Sequence, residues 1–355
     1  MTDSPQSSRP AHNPPSILVT GATGYIGSRL VPRLLADGAG VTVLARSPHK
    51  LDDVPWRDDV TVRRGDLGDG DSLREAMSGM DVVVHLVHSM GTSSDFEREE
   101  RENAYTFVAA EQSGVGHVVH LSGLHPEGDD AELSRHLRSR AEVAGILLES
   151  EVPALVLRAG IVIGSGSASF EMIRHLTTRL PAMVTPKWVS NRVQPISIGD
   201  TVHYLSAATR APVEQGRTVD IGGPDILRYG EVMQRYADEA GLRRRVMVPV
   251  PVLTPALSSL WMGLVTPLPS GLARPLVESL RSEAIIARDN AGEVLGDPPG
   301  GRTTYLEAVR AALRRSLGPE ERPTWRESDP LGDPASLLPS DADWAGRRAP
   351  EVWTR

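Results

Sequence analysis

The stretch VTGATGYIGSRL, residues 19–30, decides the fold of this chain. Its three glycines, Gly21, Gly24 and Gly27, lie between an apolar run and a segment whose apolar residues recur at helical spacing. The first glycine permits a tight turn after a strand, the second lets the backbone approach a phosphate, and the third lets a helix pack closely on the strand. Amides at the start of that helix attract an anion. The stretch therefore predicts a strand, a phosphate-binding turn and a helix.

Short apolar runs alternate with helical segments along the chain. Strands are predicted over residues 17–20, 41–45, 60–64, 82–86, 118–121, 154–157 and 218–221, and helices over 95–111, 132–149, 170–180, 229–240 and 303–317. This alternation predicts an α/β fold with a doubly wound parallel sheet of the Rossmann type. We divide the chain into a disordered leader (1–15), a dinucleotide-binding Rossmann domain (16–165), a smaller C-terminal substrate lobe interleaved with the sheet (166–317) and an extended tail (318–355).

The composition narrows the classes of function. The 355 residues include no cysteine, which excludes disulfides, thiolate metal ligands and cysteine nucleophiles, and we predict no metal site. The net charge of -8 argues against a general nucleic-acid binder. No apolar run is long enough to span a membrane. We therefore predict a cytoplasmic protein with a small-molecule substrate, while peripheral membrane contact and the oligomeric state stay open.

The residues after the second predicted strand select the nucleotide. An acidic residue at the end of that strand would bind the ribose 2′-hydroxyl of NAD, whereas this chain has Arg46, followed by Ser47 and Lys50. A guanidinium pairs with a 2′-phosphate through two parallel hydrogen bonds. A solvated basic turn is the alternative explanation. The pattern predicts NADP, in its reduced form NADPH, rather than NAD as the cofactor.

Further motifs follow the glycine stretch in order: GDL at 65–67, VVHLV at 83–87, HLSGL at 120–124 and LRAGIVIG at 157–164. Together with TGATGYIG they resemble the extended and atypical short-chain dehydrogenase/reductase families. The resemblance is strongest to the NAD(P)H-binding NmrA-like group, which is related to the complex I accessory subunit of this fold. Residues 166–200 and 257–269 strengthen it, and it covers roughly residues 16–315.

The resemblance implies how the cofactor is held. The adenine would face Asp66 and Leu67, and Leu86 and Val87 would line the ribose side. The nicotinamide would lie beside Ser122. The pyrophosphate would be held by Gly21, Thr23, Gly24, Tyr25, Ile26 and Gly27, and the nicotinamide carboxamide would lie near Gly160, Ile161 and Val162.

The catalytic pattern departs from that of the resembled families. Those enzymes combine a serine with Tyr-x-x-x-Lys on a helix, where the spacing of four puts the cation beside the phenol and lowers its pKa. The matching segment here, SRHLRSR, has His136 at the tyrosine position and Arg140 at the lysine position, and Ser122 is retained. His136 is a candidate general acid near neutral pH, and Arg140 a candidate ribose or phosphate ligand. The alternatives are cofactor binding without catalysis, or a merely polar helix face.

Candidate substrate residues lie in two places. His88 follows the fourth predicted strand, and a polar and aromatic cluster follows the sixth: Lys187, Trp188, Asn191, Arg192 and Gln194. Arg192 suits either an anionic or carbonyl group of a substrate or a structural ion pair. The apolar stretch at 248–272, which is interrupted by prolines, suits packing under the lobe, a hydrophobic substrate mouth or contact with a membrane surface. An apolar substrate such as an isoprenoid, quinone or polyketide is therefore a hypothesis.

These observations predict an NADP-dependent oxidoreductase of the atypical short-chain type. It would reduce a small, apolar carbonyl or enone, or isomerise it through hydride transfer. Ser122 would polarise the substrate oxygen, His136 would supply the proton and Arg140 would hold the cofactor. A non-catalytic dinucleotide-sensing or assembly protein is the first alternative, because the tyrosine and lysine are missing. A sugar-nucleotide epimerase is the second, and the missing tyrosine weakens it.

Overall fold

The computed structural model describes residues 14–52, 54–88, 95–110, 114–126, 128, 133–249, 268–314, 341, 342 and 345. Most of the predicted leader, most of the predicted tail and residues 250–267 of the apolar stretch lie outside these described residues. The expectations for those segments therefore stay predictions.

A parallel sheet of seven strands organises the chain. Numbered in chain order, the strands are Ser16–Thr20 (β1), Gly40–Ala45 (β2), Thr61–Arg64 (β3), Val82–His85 (β4), His117–Gly123 (β5), Ala154–Ala159 (β6) and Arg217–Ile221 (β11). Their spatial order is β3-β2-β1-β4-β5-β6-β11, and every neighbouring pair is parallel. From β1, the strands β2 and β3 extend the sheet toward one edge, whereas β4, β5, β6 and β11 extend it toward the other. The strand order therefore reverses between β1 and β4. Ligands of such sheets bind at the carboxyl ends of the strands beside that reversal.

Helices cover both faces of this sheet. Gly27–Ala36 (α1) and Ile198–Ala208 (α6) pack on one face, and Gly70–Met77 (α2), Phe96–Ala110 (α3) and Arg135–Leu148 (α4) pack on the other. Successive strand side chains point to opposite faces, so Ile17 and Val19 of β1 join one core while Leu18 joins the other. All three side chains are fully buried, as expected for a strand that is covered on both faces.

A third apolar core lies among most of the other elements. The other elements are Val162–Ile163 (β7), Ala168–Arg179 (α5), Ala182–Thr185 (β8), Arg192–Val193 (β9), Ile196–Ser197 (β10), Leu227–Arg228 (β12), Tyr229–Glu239 (α7), Val246–Pro249 (β13), Ser270–Ser279 (α8), Ala291–Leu295 (α9) and Tyr305–Arg314 (α10). Strand β7 pairs with β10, β8 with β13 and β9 with β12. Phe170 of α5 and Tyr236 of α7 meet edge to face, with 6.0 Å between ring centres. This core is separate from the two cores against the large sheet.

The predicted Rossmann-type sheet is confirmed. Each of the seven predicted strands is present, and its ends lie within two residues of the predicted ones. The helix predicted from residue 132 begins instead at Arg135, because the hydroxyl of Ser134 accepts from the amide of Leu137 at 3.2 Å and caps the helix there. Strand β11 comes from the segment predicted as the substrate lobe. None of the described helices is long and apolar enough to cross a membrane.

Candidate functional site

A cavity of about 800 Å³ opens at the carboxyl end of the parallel sheet. It lies where the strand order predicts a ligand, beside the ends of β1 and β4. Most of the predicted cofactor and catalytic residues line it, together with His88: Gly21, Thr23, Gly24, Tyr25, Ile26, Arg46, Ser47, Lys50, Asp66, Leu67, Leu86, Val87, Ser122, His136, Arg140, Gly160 and Val162.

The glycine-rich turn forms one wall of this cavity. Gly21 has a φ of +78°, which favours glycine, and a Cβ on it would lie 3.2 Å from the backbone of Leu86 and Val87. The amide of Gly24 donates to the carbonyl oxygen of Gly21 at 3.0 Å. Among the described residues no side chain caps α1, and the sequence of its first turn contains no acidic residue. The positive end of this helix is therefore suited to an anion in the cavity.

Two predicted cofactor residues support the cavity without lining it. A Cβ on Gly27 would lie 2.2 Å from the carbonyl oxygen of Gly21 and 2.8 Å from the Cα of Ala22, so only glycine lets α1 approach the turn this closely. Ile161 is buried in the third apolar core. The structure therefore shows a packing role for both residues, and their contact with the cofactor stays a prediction.

Arg46 and Lys50 lie at the end of the cavity beside β2. The Arg46 side chain is 76% exposed, and its Nε lies 4.0 Å from Oδ2 of Asp66. An exposed ion pair at this distance contributes little free energy, so Arg46 can turn toward a ligand phosphate at low cost. Ser47 precedes the short 3₁₀ helix Pro48–Leu51, which carries Lys50. The three side chains thus form the basic and polar end that the sequence predicts.

Ser122 and Arg140 join β5 to α4 at the cavity wall. The hydroxyl of Ser122 donates to the backbone carbonyl of Arg140 at 3.2 Å, and Nη2 of Arg140 donates to the carbonyl of Leu121 at 2.6 Å. Burial lowers the pKa of the Arg140 guanidinium, and the carboxylate of Glu100 opposes that shift. Arginine loses its proton only far above neutral pH, so Arg140 brings a positive charge to this wall.

His136 lies one helical turn before Arg140, with 8% of its surface exposed. Its burial, the charge of Arg140 and the nearby His88 lower the pKa of its imidazole well below the usual value. Among the described residues, its Nδ1 has no hydrogen-bond partner. The sequence predicts that the protonated ring of His136 acts as an acid near neutral pH, whereas burial and the nearby Arg140 favour the neutral ring. The difference arises because the sequence shows the position of Arg140 but not how completely both side chains are buried.

Two more imidazoles lie behind this wall. Nδ1 of His85 lies 3.0 Å from the hydroxyl of Thr20, and Nδ1 of His120 lies 3.0 Å from the carbonyl oxygen of His85. The two rings stack with 5.3 Å between their centres. Burial and the charge of Arg140 lower the pKa of His85 to about 4. In the described part of the chain, no group of three or more histidine or carboxylate side chains is placed to hold a metal ion.

The cluster predicted to face the substrate lies outside the cavity: Lys187, Trp188, Asn191, Arg192 and Gln194 do not line it. Arg192 forms two hydrogen bonds with the carboxylate of Glu283, at 2.8 and 3.0 Å. The amide of Asn191 donates to the carbonyls of Leu280 and Arg281. The structure therefore shows the structural ion pair that was the alternative for Arg192. This segment faces residues 280–286, a contact between distant parts of the chain that no local motif predicts.

Several residues that line the cavity were not assigned to it from the sequence, and four of them come from distant segments. Leu272 and Leu276 belong to α8, and Leu272 is the last residue of the apolar stretch proposed as a substrate mouth. Asp341 and Ala342 come from the predicted tail. No local motif marks these four positions, because long connections bring them to the cavity.

Residues 21–165 match the model of a protein family described as NAD(P)H-binding. The matched segment contains the glycine turn, the basic end and the pair formed by Ser122 and Arg140. This part of the chain is therefore an NAD(P)H-binding domain, and a nicotinamide dinucleotide is its cofactor. The relation to the complex I accessory subunit stays a prediction.

The chain is similar to reductases in sequence and in fold. Ceramide reductase of Caulobacter vibrioides is 28% identical over 267 residues, which cover 73% of this chain and 82% of that protein. The structure of Citrobacter sp. triphenylmethane reductase complexed with NADP(H) aligns with a TM-score of 0.66 at 19% identity, over 84% of this chain and 99% of that one. A nucleoside-diphosphate-sugar epimerase from Staphylococcus aureus aligns with a TM-score of 0.64 at 17% identity, over 83% and 99% of the two chains. The two structural alignments establish the fold alone.

Proposed function

We propose that this protein is an NADP-dependent oxidoreductase that reduces a carbonyl or enone attached to an apolar body. One observation carries the proposal: a single cavity joins the glycine turn, the basic end, the Ser122–Arg140 pair and two leucines of α8. The similarity to a ceramide reductase supports both the reductive chemistry and a lipid-like substrate. The similarity in fold to a reductase complexed with NADP(H) agrees with the cofactor.

The residues of the cavity suit the parts of NADPH. The 2′-phosphate would bind Arg46, Ser47 and Lys50, because charged and hydroxyl donors converge there. The pyrophosphate would lie at the start of α1, where neither a capping side chain nor an acidic residue competes for the helix amides. The nicotinamide would then lie toward Ser122, at the other end of the cavity.

NADPH supplies the hydride when it is bound. As negative charge develops on the substrate oxygen, the hydroxyl of Ser122 would turn from the carbonyl of Arg140 and donate to that oxygen. The positive charge of Arg140, whose Nη2 donates to the carbonyl of the neighbouring Leu121, would stabilise the same oxygen. The neutral ring of His136 can donate a hydrogen bond but is a weak acid. We therefore infer that water, rather than an imidazolium, supplies the proton that completes the product.

The substrate body would lie against α8. Leu272 and Leu276 recur at a spacing of four, which puts both on one face of this helix, and both are half-buried at the cavity. Each CH₂ group that a substrate buries against them contributes about 0.8 kcal/mol. Longer apolar chains should therefore bind more tightly until this wall is filled.

A chain-length series tests the proposal. The near-ultraviolet absorbance of NADPH is followed with alkyl ketones and alkyl enones of increasing length, for the wild type and for Ser122→Ala. We expect turnover whose kcat/KM rises with chain length, and a kcat reduced about 100-fold in Ser122→Ala through loss of the donor. An exposed serine variant, Ser190→Ala, is the control and should match the wild type. If the wild type and Ser122→Ala oxidise NADPH at the same rate, the proposed role of Ser122 in this site is wrong.

A dinucleotide-responsive binding protein is the second candidate. It is favoured by one observation, which is that a neutral, buried histidine replaces the proton-donating tyrosine. Tight NADPH binding without oxidation by any member of the series would support it over the reductase. A sugar-nucleotide epimerase has less support, because the fold similarity alone does not restore the missing tyrosine.

A further inference from the structure

Arg29 is a buried cation next to the glycine turn. It lies in the first turn of α1, and 3% of its surface is exposed. Its guanidinium lies 4.0 Å from the ring centre of Tyr25, and Nη1 donates to the carbonyl oxygen of Tyr25 at 2.9 Å. Tyr25 itself lines the cavity. The position of this guanidinium is therefore linked directly to the turn that binds the pyrophosphate.

The same guanidinium reaches the opposite wall of the cavity. Nη2 of Arg29 donates to the carbonyl oxygen of Ser165 at 3.3 Å. Ser165 lies between β7 and α5, and the four residues that follow it, 166–169, line the cavity. Contact between the two walls is close here, since a Cβ on Gly164 would lie 2.4 Å from the hydroxyl of Tyr25. One side chain thus connects the glycine turn with the loop before α5.

Asp341 completes the arrangement from the far end of the chain. Its carboxylate accepts from Nη1 of Arg29 at 2.8 Å and from Nη2 at 2.7 Å, a two-bond ion pair that is almost fully buried on both sides. Asp341 and Ala342 also line the cavity. Removal of the carboxylate from a buried ion pair strongly destabilises the folded protein, because the guanidinium charge is then buried without a compensating charge. The arrangement of both walls therefore depends on a residue 312 positions away from Arg29.

We propose that Asp341 is a positioning residue of the NADPH site, which acts through Arg29 to hold the glycine turn and the loop before α5 in the arrangement that binds the pyrophosphate and nicotinamide. The proposal rests on the proposed function only for the identity of the cofactor. The bonds described above join Arg29 to Tyr25, Ser165 and Asp341, whereas the adenine end is formed by Arg46, Lys50 and Asp66, which follow β2 and β3. Loss of Asp341 should consequently affect one half of the cofactor more than the other.

The test compares two ligands in the full chain. Dissociation constants are measured for NADPH and for adenosine 2′-monophosphate, which contains only the adenosine and the 2′-phosphate and has no part of the pyrophosphate. For Asp341→Asn we expect NADPH to bind about tenfold more weakly, equivalent to about 1.4 kcal/mol, and the half-molecule to bind within about twofold of the wild type. Asp71→Asn, which removes the acid of an exposed ion pair with Arg74, is the matched control and should change neither constant. An equal loss for both ligands, or no loss for either, would overturn the proposal.

Two further variants keep the test decisive. In an Arg29→Met background, Asp341→Asn should no longer weaken NADPH binding, because the residue through which it acts is gone. If Asp341→Asn does not fold, Arg29→Met/Asp341→Leu replaces the whole pair with apolar side chains, a change that buried ion pairs often tolerate. We expect that variant to fold and still to bind NADPH about tenfold more weakly, and wild-type affinity would overturn the proposal. A wild-type protein that binds no NADPH at all would overturn the proposed function itself, so the two failures are distinguishable.

Discussion

At the scale of single residues, we expect Arg46 to decide which dinucleotide the cavity prefers. We expect Arg46→Ala to weaken the binding of NADPH about 10- to 100-fold, because a charge-assisted hydrogen bond to the 2′-phosphate is lost. NADH lacks that phosphate, so its dissociation constant should stay within about twofold. Titration of both cofactors by fluorescence measures the change. Arg74→Ala, at an exposed arginine outside the cavity, is the control. Equal weakening of NADPH and NADH would show that Arg46 does not select the cofactor.

His136 gives a prediction about the pH dependence of catalysis. Because burial and Arg140 hold its pKa well below the usual value, the ring is neutral on both sides of pH 6.5. We therefore expect log kcat/KM to show no inflection from this residue between about pH 5.5 and 8. The measurement is the pH profile of the wild type and of His136→Asn with one substrate. An inflection near 6.5 that disappears in His136→Asn would restore the imidazolium acid expected from the sequence.

The sequence predicts the cofactor end of the site better than the substrate end. Arg46, Ser47 and Lys50 follow a strand directly, so their place at the cavity depends only on local structure. Arg192 has a similar charge, but its contact with Glu283 joins residues 91 positions apart. The pKa of His136 depends on burial by the whole fold. Residue types and spacing identify candidates, whereas distant packing decides which of them reach the ligand.

At the scale of elements, the approach of α1 to β1 depends on Gly27. A Cβ there would overlap backbone atoms, which cannot move aside as a flexible side chain does. We expect Gly27→Ala to lower the free energy of unfolding by about 3 kcal/mol or more and to weaken NADPH binding. Denaturant unfolding and cofactor titration measure the two effects.

Gly145 provides the matched control, since it is also a helical glycine but no neighbouring atom lies within 4 Å of the place that a Cβ would occupy. Gly145→Ala should raise the free energy of unfolding by about 0.5–1 kcal/mol, because alanine favours the helix. A Gly27→Ala protein as stable as Gly145→Ala would disprove the close approach of α1.

Helix α8 should set the preference for apolar substrates. We expect Leu276→Ser to reduce kcat/KM about tenfold for long-chain ketones or enones and to leave short ones nearly unchanged, because only long chains reach this wall. The measurement is the chain-length series with both proteins. Ile226→Ser, at an exposed apolar residue outside the cavity, controls for a general loss of apolar surface. A uniform effect over all chain lengths would remove α8 from the substrate site.

Elements were predictable wherever one strong local signal marked them. The strands of the large sheet are apolar runs bounded by turn residues, and their alternation with helices was sufficient for the fold class. The short pairs β7–β10 and β9–β12 have only two residues per strand, so the sequence carries a weaker signal for them and none for how they pair. The role of α8 was equally hidden, because its contact with the cavity depends on tertiary packing.

At the scale of the whole molecule, buried neutral histidines make stability depend on pH. The folded-state pKa of His85 lies at about 4, and those of His120 and His136 also lie well below the usual value. Below about pH 6.5 the unfolded chain takes up protons that the folded chain does not. Stability is therefore greatest above pH 6.5 and should fall as the pH drops toward 4, by up to about 1.4 kcal/mol per pH unit for each such histidine.

Urea unfolding between pH 4.5 and 7.5 measures this slope. We expect His85→Asn to reduce this slope by the amount that corresponds to about one proton fewer taken up on unfolding, because the asparagine does not titrate in either state. Ser190 is exposed and carries no titratable group, so Ser190→Ala should leave the slope unchanged. Identical slopes for the wild type and His85→Asn would show that His85 is protonated in the folded protein.

The edge strand β11 has a consequence for the order in which the chain folds during synthesis. A nascent chain that ends at residue 165 contains six of the seven sheet strands, but the outer edge of β6 is unpaired until residues 217–221 emerge. An unpaired parallel edge attracts other chains, so this interval is the one most exposed to aggregation. We therefore expect the sheet that carries the cofactor-binding segment to be completed only after residues 217–221, more than fifty residues further along the chain, have left the ribosome.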